Sequence, residues 1–198
     1  MGSAIRHFSA MLPLEEDQKE GLLIPTIATR GELDEFEQQN IEAAVQWTFT
    51  RSFRAEDVLT ESFVRNLHQR MFGNVWRWAG SFRRTNKNIG IDKHQIGVEL
   101  RLLLDDCLFW VNAGTYPPDE IAVRFKHRLV FIHCFHNGNG RHARLMADIL
   151  AARVLGERVF TWGSSTLRET GAARSAYIAA LRAADNGDIQ PLLRFARS

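Results

Sequence analysis

The sequence has only two cysteines, Cys107 and Cys134, in 198 residues. They can form one bridge at most, and Cys107 falls within helical spacing, which argues against a disulfide-stabilised scaffold. Long apolar runs are also missing, because charged or polar residues interrupt every stretch well before the roughly 20 residues of a membrane helix. The N-terminus lacks the charged-then-apolar order of a signal peptide. We therefore expect a cytoplasmic protein that does not bind membranes.

Neither charge sign is in large excess, since 25 basic residues face 23 acidic ones and the formal net charge is +2. This balance gives no basis for direct nucleic-acid binding. Lysine is scarce, however, with four lysines against 21 arginines. The planar guanidinium suits carboxylates and phosphates alike. The composition therefore leaves open whether the arginines form internal ion pairs or bind a phosphate ligand.

Linkers rich in Gly, Ser or Pro and internal repeats are absent as well, and the length fits a single domain. Apolar residues recur with helical spacing over most of the chain. We expect an all-α fold of about six to eight helices with a small β-hairpin flap. Residues 1–28 would form an N-terminal segment, and residues 29–198 would form the domain.

Start and stop signals place the expected helices. Thr29 and Glu32 are spaced as a capping box, and Thr60 can cap a second helix that a left-handed Gly73 would end. Pro117 and the acidic residues after it suit the first turn of another helix. In chain order, we expect helices at residues 33–47, 60–71, 96–111, 118–133, 141–154, 172–184 and 189–196.

The segment from Ser81 to Asp92 does not have helical spacing. It mixes β-formers with turn residues, which predicts a short hairpin or flap. Arg83 and Arg84 fall in this segment, and two charges on an exposed flap are ordinarily solvated. We therefore leave both arginines out of the predicted site.

The most informative segment runs from Phe131 to Arg144 and comprises a helix end, a glycine-rich loop and a helix start. Backbone N–H groups of such a loop converge on an anion, and the helix dipole adds to the attraction. Arg141 and Arg144, three residues apart, can reach the same polyphosphate. His133 at the preceding helix end can accept a proton near neutral pH. A base beside a phosphate cradle predicts phosphoryl or nucleotidyl transfer to a hydroxyl.

This segment resembles the Fic family signature, His-x-Phe-x-(Asp/Glu)-Gly-Asn-Gly-Arg-x-x-Arg. Seven of its eight fixed positions agree, namely His133, Phe135, Gly138, Asn139, Gly140, Arg141 and Arg144. The resemblance extends over roughly Thr29 to Ser198, because the residues around Trp78–Arg83, Tyr177–Leu181 and Gly187–Asp188 also look like a Fic domain. Within the family, the chain looks closest to the bacterial branch called mobile mystery protein B.

The resemblance implies transfer of AMP from ATP to a Ser, Thr or Tyr hydroxyl of a target protein. His133 would be the general base, Arg141 would neutralise the developing charge, and Arg144 would grip the γ-phosphate. The loop residues Gly138, Asn139 and Gly140 would hold the phosphates. The flap would pair with an extended target segment by strand addition, through Thr85, Asn86, Lys87, Asn88 and Ile89. A toxin-like role with a small antitoxin-like or DNA-binding partner is a further implication.

Asn137 departs from the family pattern, which has Asp or Glu at this position as a Mg²⁺ ligand. The neutral amide oxygen of Asn137 can still coordinate a hard cation, but without the charge. We expect weaker Mg²⁺ binding and therefore keep two alternatives. The chain would be a catalytically weak nucleotide-binding regulatory module, or a Fic enzyme that uses a different phosphate-containing donor.

Many Fic proteins carry an inhibitory motif, (Ser/Thr)-x-x-x-Glu-(Gly/Asn). Glu20 and Gly21 match its end, although Glu16 stands where Ser or Thr is expected. Ser165 and Glu169 match its other part, with Thr170 in the last position. We favour Glu20 and expect it to pair with Arg144.

A metal site made of His133, His136 and His142 is disfavoured, because the sequence offers no cysteine pair or inward carboxylate to complete it. His136 and His142 are expected to face solvent or to support the loop. The five tryptophans are expected to pack in the core or at its rim, and Cys134 is given no role.

Overall fold

The computed structural model of the chain describes residues 12–14, 19–163 and 170–198. These residues contain eight α-helices, which confirms the expected all-α class. A 3-10 turn, Lys93–Gln95, precedes α4, and a π-helical turn, Leu150–Val154, continues α6. The helices are α1 (Arg30–Phe49), α2 (Ala55–Val58), α3 (Glu61–Phe72), α4 (Ile96–Ala113), α5 (Pro118–Ile132), α6 (Asn139–Ile149), α7 (Thr170–Asp185) and α8 (Gln190–Arg197).

Capping interactions define the first helices as expected. The Thr29 hydroxyl accepts the Glu32 N–H at 3.3 Å, and the Glu32 carboxylate accepts the Thr29 N–H at 2.9 Å. Thr60 caps α3 by accepting the Phe63 N–H at 3.1 Å. The prediction of a left-handed Gly73 is wrong, since its φ is −71°. Glycine is favoured there for space, because a Cβ would lie 2.5 Å from the Gln69 carbonyl oxygen.

Helix α5 lies at the centre of the fold. It packs against α4 on one side and α6 on the other, and it also contacts α8. The inward face of α4 supplies buried Leu100, Leu103 and Cys107, and α5 contributes Phe125 and Leu129. Around this centre, α1 packs on α3 and α7 packs on α8. The arrangement holds the connection between α5 and α6, where the glycine-rich loop lies, at the edge of the core.

The predicted hairpin between residues 81 and 92 is wrong. Within the described residues, extended pairing is limited to three isolated bridges, of which Phe82 with Phe135 is the one that involves this segment. The segment follows a series of bends instead, because side chains rather than a second strand satisfy its backbone groups, as described below. We keep the name flap for residues 85–91.

The cysteines and the helix lengths agree with the expectations from composition. Both cysteines are buried and unbridged, and burial raises the pKa of each thiol to about 12. Neither thiol is therefore a nucleophile near neutral pH. Among the residues that the structure describes, no helix combines the length and the apolar character that crossing a bilayer requires.

Candidate functional site

The loop between α5 and α6 begins and ends with left-handed residues. His133 stops α5 with φ 57°, and Gly138 has φ 75° directly before α6 begins. A left-handed backbone costs a residue other than glycine about 1 kcal/mol or more. The turn at His133 therefore needs support from its surroundings. It directs the chain so that the loop backbone leads into the N-terminus of α6, where unpaired N–H groups favour an anion.

The side chain of Asn139 closes this loop. Its Oδ1 accepts the Phe135 N–H at 2.9 Å, and its Nδ2 donates to the Phe135 carbonyl at 2.9 Å. Both polar atoms of the amide are thus used within the protein. The predicted phosphate-binding role of Asn139 would therefore fall to its backbone N–H, since the side chain is already engaged.

Buried His68 supports the loop from α3, a role that the sequence did not reveal. Its Nδ1 accepts the Gly80 N–H at 3.0 Å, so the ring proton lies on Nε2, which donates to the Asn137 carbonyl at 3.1 Å. The ring stacks on Phe135 with centroids 3.8 Å apart. Burial lowers the pKa of His68 to about 4, which keeps the ring neutral near pH 7 and preserves this tautomer.

The predicted base, His133, is half-buried. Burial lowers the pKa of its imidazole, and the positive charges of Arg83 and Lys87 lower it further. The ring is therefore neutral near pH 7 and able to accept a proton. The flap passes directly against it, because a Cβ on Gly90 would lie 2.5 Å from the His133 Cβ.

Arg83 anchors the flap to the loop, which corrects the expectation that it is solvated. The residue is only 4% exposed. Its Nε donates to the His133 carbonyl at 2.7 Å, and its terminal nitrogens donate to the carbonyls of Thr85, at 3.0 Å, and Ile91. One guanidinium thus joins both ends of the flap to the strained residue at the end of α5. Its neighbour Arg84 is exposed, as predicted.

The two motif arginines have different partners. Arg141 donates from a terminal nitrogen to the Glu37 carboxylate at 2.6 Å. The Arg144 guanidinium lies 5.2 Å from the ring centre of Tyr177 and 6.0 Å from that of Trp162. The Arg144 Nε is buried and has no hydrogen-bond partner. The predicted shared contact of both arginines with one polyphosphate stays a prediction.

A cavity of about 570 Å³ opens beside the loop. Glu20 lines it, and among the ion pairs of the described ranges this carboxylate is not paired with Arg144. The predicted pairing is thus not formed here, and Ser165 and Glu169 lie outside the described residues. The cavity is lined by Leu14, Glu20, Arg30, Leu33, Asp34, Trp76, Trp78, Lys87, His136 and Asn137.

The predicted magnesium ligand, the Asn137 Oδ1, accepts the Gly138 N–H at 2.7 Å. The second lone pair of this oxygen remains available to a cation. No group of three or more His, Cys, Asp or Glu that could hold a metal occurs in the part of the chain that the structure describes. A magnesium ion would therefore depend largely on phosphate and water oxygens.

The other predicted features of the site divide between solvent and core. His142 is buried rather than solvent-facing, and its Nε2 lies 2.9 Å from the Val64 carbonyl. His136 is half-buried, and its ring centroid lies 5.2 Å from that of Trp78. The flap residues proposed to dock a target are all exposed, namely Thr85, Asn86, Lys87, Asn88 and Ile89.

Comparison with known sequences identifies the domain. Residues 58–151 match the Fic/DOC family. The chain is 28% identical over 159 residues to the protein adenylyltransferase Fic of Aedes aegypti, which covers 78% of this chain and 30% of the relative. It is 31% identical over 141 residues to the protein of the same name in Drosophila grimshawi, and this match covers 69% of this chain and 28% of the relative. The chain thus spans less than a third of the length of these curated relatives.

Solved structures share the fold. Fic-1 from C. elegans, residues 134–508, superposes with a TM-score of 0.64 at 24% identity and covers 98% of this chain and 56% of its own. BepC from Bartonella tribocorum, solved with bound AMPPNP, gives a TM-score of 0.65 at 18% identity, and the match covers 92% of this chain and 97% of BepC. At these identities the likeness shows the fold alone.

Proposed function

Because residues 58–151 form a Fic/DOC family domain, we propose that the chain is a protein adenylyltransferase that moves AMP from ATP to a Ser, Thr or Tyr hydroxyl of a target protein. The position of His133 carries this proposal, because its left-handed backbone ends α5 where the glycine loop leads into the N-terminus of α6. The names of the curated relatives support the same reaction.

The reaction assigns a distinct task to each group. His133 accepts the proton of the target hydroxyl as its oxygen attacks the α-phosphorus of ATP. The new bond joins this oxygen to phosphorus, and the bond to the bridging oxygen breaks, so that pyrophosphate leaves with the electron pair. Backbone N–H groups at Gly138, Asn139 and Gly140 would hold the phosphates, with Arg141 and Arg144 adding positive charge.

The flap would bring the target to His133. Arg83 fixes both flap ends beside the imidazole, whereas the residues between them are exposed. An extended target segment that pairs with this exposed backbone would place its hydroxyl near the base.

A second function is supported by Asn137. With a neutral side chain already bonded to Gly138, the chain would bind nucleotide and regulate a partner while turning over slowly. A different phosphate-containing donor is the third possibility. The assignment to the bacterial branch, the toxin-like role and the antitoxin-like or DNA-binding partner are supported by the sequence resemblance.

Mass spectrometry of the purified protein tests the proposal. Wild type, Glu20→Gly and His133→Ala are incubated with ATP, with and without Mg²⁺, and examined for a covalent AMP adduct. We expect an adduct on wild type or Glu20→Gly, and a loss of about 10²-fold or more in His133→Ala, because general-base catalysis contributes that much. The matched control is His94→Ala, since His94 is exposed and outside the site.

Other outcomes lead to different conclusions. Labelling that persists in His133→Ala would show that this histidine is not the base. If no variant gains AMP, titration with ATP separates the remaining functions: binding without labelling favours the regulatory module, and absence of ATP binding excludes it and leaves the different donor. Unchanged labelling in Glu20→Gly would argue against the inhibitory role of Glu20.

A further inference from the structure

A carboxylate that the motif does not include lies beneath the predicted phosphate site. The side chain of Glu37, from the middle of α1, is only 4% exposed. Its Oε1 accepts the Trp76 indole N–H at 2.6 Å, and its Oε2 accepts a terminal N–H of Arg141 at 2.6 Å. Both oxygens of a buried charge are thus satisfied, as burial of a charge requires.

Arg141 is held on one edge and open on the other. Its guanidinium carbon lies 4.9 Å from the ring centre of Phe72, and its side chain remains 43% exposed. Within the described residues, the ion pair with Glu37 is the only hydrogen bond that this guanidinium makes. A phosphate from solvent therefore meets the free edge of the fork, whereas Glu37 occupies the buried edge.

We propose that Glu37 is a positioning residue, which orients Arg141 toward the phosphates of the nucleotide during transfer. This inference rests on the proposed function. Groups that stabilise charge in a transition state are most effective when their orientation is fixed before reaction. Two anchors hold Glu37 itself, the indole of Trp76 and the surrounding core, so the carboxylate keeps its place when ligand arrives.

An opposing interpretation makes Glu37 an internal competitor that occupies Arg141 in place of phosphate. The geometry disfavours it, because a competitor has to leave when the ligand binds. Glu37 is buried and bonded to Trp76 at 2.6 Å, and its removal from Arg141 would leave a buried charge without its cationic partner.

Self-labelling kinetics of Glu37→Gln, with the protein as its own acceptor and kcat taken as the labelling rate at saturating ATP, distinguish the two interpretations. The substitution keeps the shape and removes the charge. We expect kcat to fall about tenfold, because a loosely held catalytic group loses orientation, whereas the KM for ATP changes less than threefold. A rise in kcat or an unchanged kcat would overturn the proposal. Glu35→Gln is the matched control, since it makes the same change at an exposed position of α1.

The double variant shows whether Glu37 acts through Arg141. If it does, Glu37→Gln has no further effect on kcat in the Arg141→Ala background, and additive losses would overturn the proposal. Thermal unfolding is measured for every variant. Should Glu37→Gln fail to fold, Trp76→Phe loosens the same carboxylate, and it is expected to lower kcat by a smaller factor; an unchanged kcat there contradicts the proposal.

Failure of the proposed function leaves the inference testable. If wild type transfers no AMP, the adenylyltransferase assignment fails, and ATP binding by titration then decides the role of Glu37. A Kd for ATP that Glu37→Gln changes less than threefold, as expected for the KM, supports positioning of Arg141, whereas tighter binding than in wild type shows a competitor and overturns the proposal.

Discussion

The side chains of Arg141 and Arg144, three residues apart on α6, lie in different surroundings. On the side of α1 and the flap, charged groups meet polar partners, as Arg141 meets Glu37 and Arg83 meets three backbone carbonyls. On the side of α7, Arg144 lies against the rings of Tyr177 and Trp162. Motif spacing alone therefore does not determine what an arginine contacts, since the neighbouring helices supply the partners.

The α7 side holds a second cation. Lys126 is fully buried, and its ammonium donates to the Tyr177 hydroxyl at 2.5 Å. Burial and the nearby Arg144 lower the pKa of Lys126 to about 7. Positive charge on this side therefore depends on pH near neutrality, whereas the Arg141 side carries a charge that its carboxylate neutralises.

Arg83→Ala is expected to have the largest effect of the three variants, a loss of stability on the side of α1 and the flap. The carbonyls of His133, Thr85 and Ile91 lose their donor, and we expect the free energy of unfolding to fall by about 3–5 kcal/mol. Urea unfolding measures it. Arg84→Ala provides the control, because the neighbouring arginine is exposed, and it should change stability by less than about 0.5 kcal/mol. Equal effects of the two variants would refute the anchoring role.

Lys126→Met should remove the pH dependence that the buried lysine on the α7 side gives to the free energy of unfolding. The folded chain releases the lysine proton near pH 7 and the unfolded chain near 10.5, so this lysine makes stability rise with pH above 7, by about 1–2 kcal/mol up to about pH 8.5. Below pH 7 both states carry the proton and this contribution is constant. Urea unfolding from about pH 7 to 8.5, below the range in which unfolded thiols ionise, should show the rise in wild type and in the control Lys93→Met. A rise that persists in Lys126→Met would exclude this lysine as its source.

Asn137→Asp is expected to have the smallest effect of the three variants, a gain in affinity for Mg²⁺. A carboxylate at this position adds charge toward a divalent cation, and we expect about tenfold tighter Mg²⁺ binding in the presence of ATP, which calorimetric titration measures. Asn112→Asp makes the same charge change at an exposed position of α4 and should leave the affinity unchanged. If both variants gain equally, overall charge rather than coordination is responsible.

The helices and the loop could be predicted because their signals are local. The capping box at Thr29 and the glycine loop each lie within a few residues, and both are found where the sequence predicts them. Support of the loop could not be predicted in this way. Arg83 and His133 are 50 residues apart, His68 and Asn137 are 69 apart, and Glu37 and Arg141 are 104 apart. Such pairs form only when helices pack, and one sequence carries no record of them.

The left-handed backbone at His133 bears on how this chain could lose its chemistry. Glycine and asparagine adopt that conformation more readily than histidine does. Histidine at position 133 therefore lowers the stability of the turn, and a change to glycine would relax the turn while removing the proposed base. Under the proposed function, this single substitution would abolish transfer and leave a chain that folds at least as well.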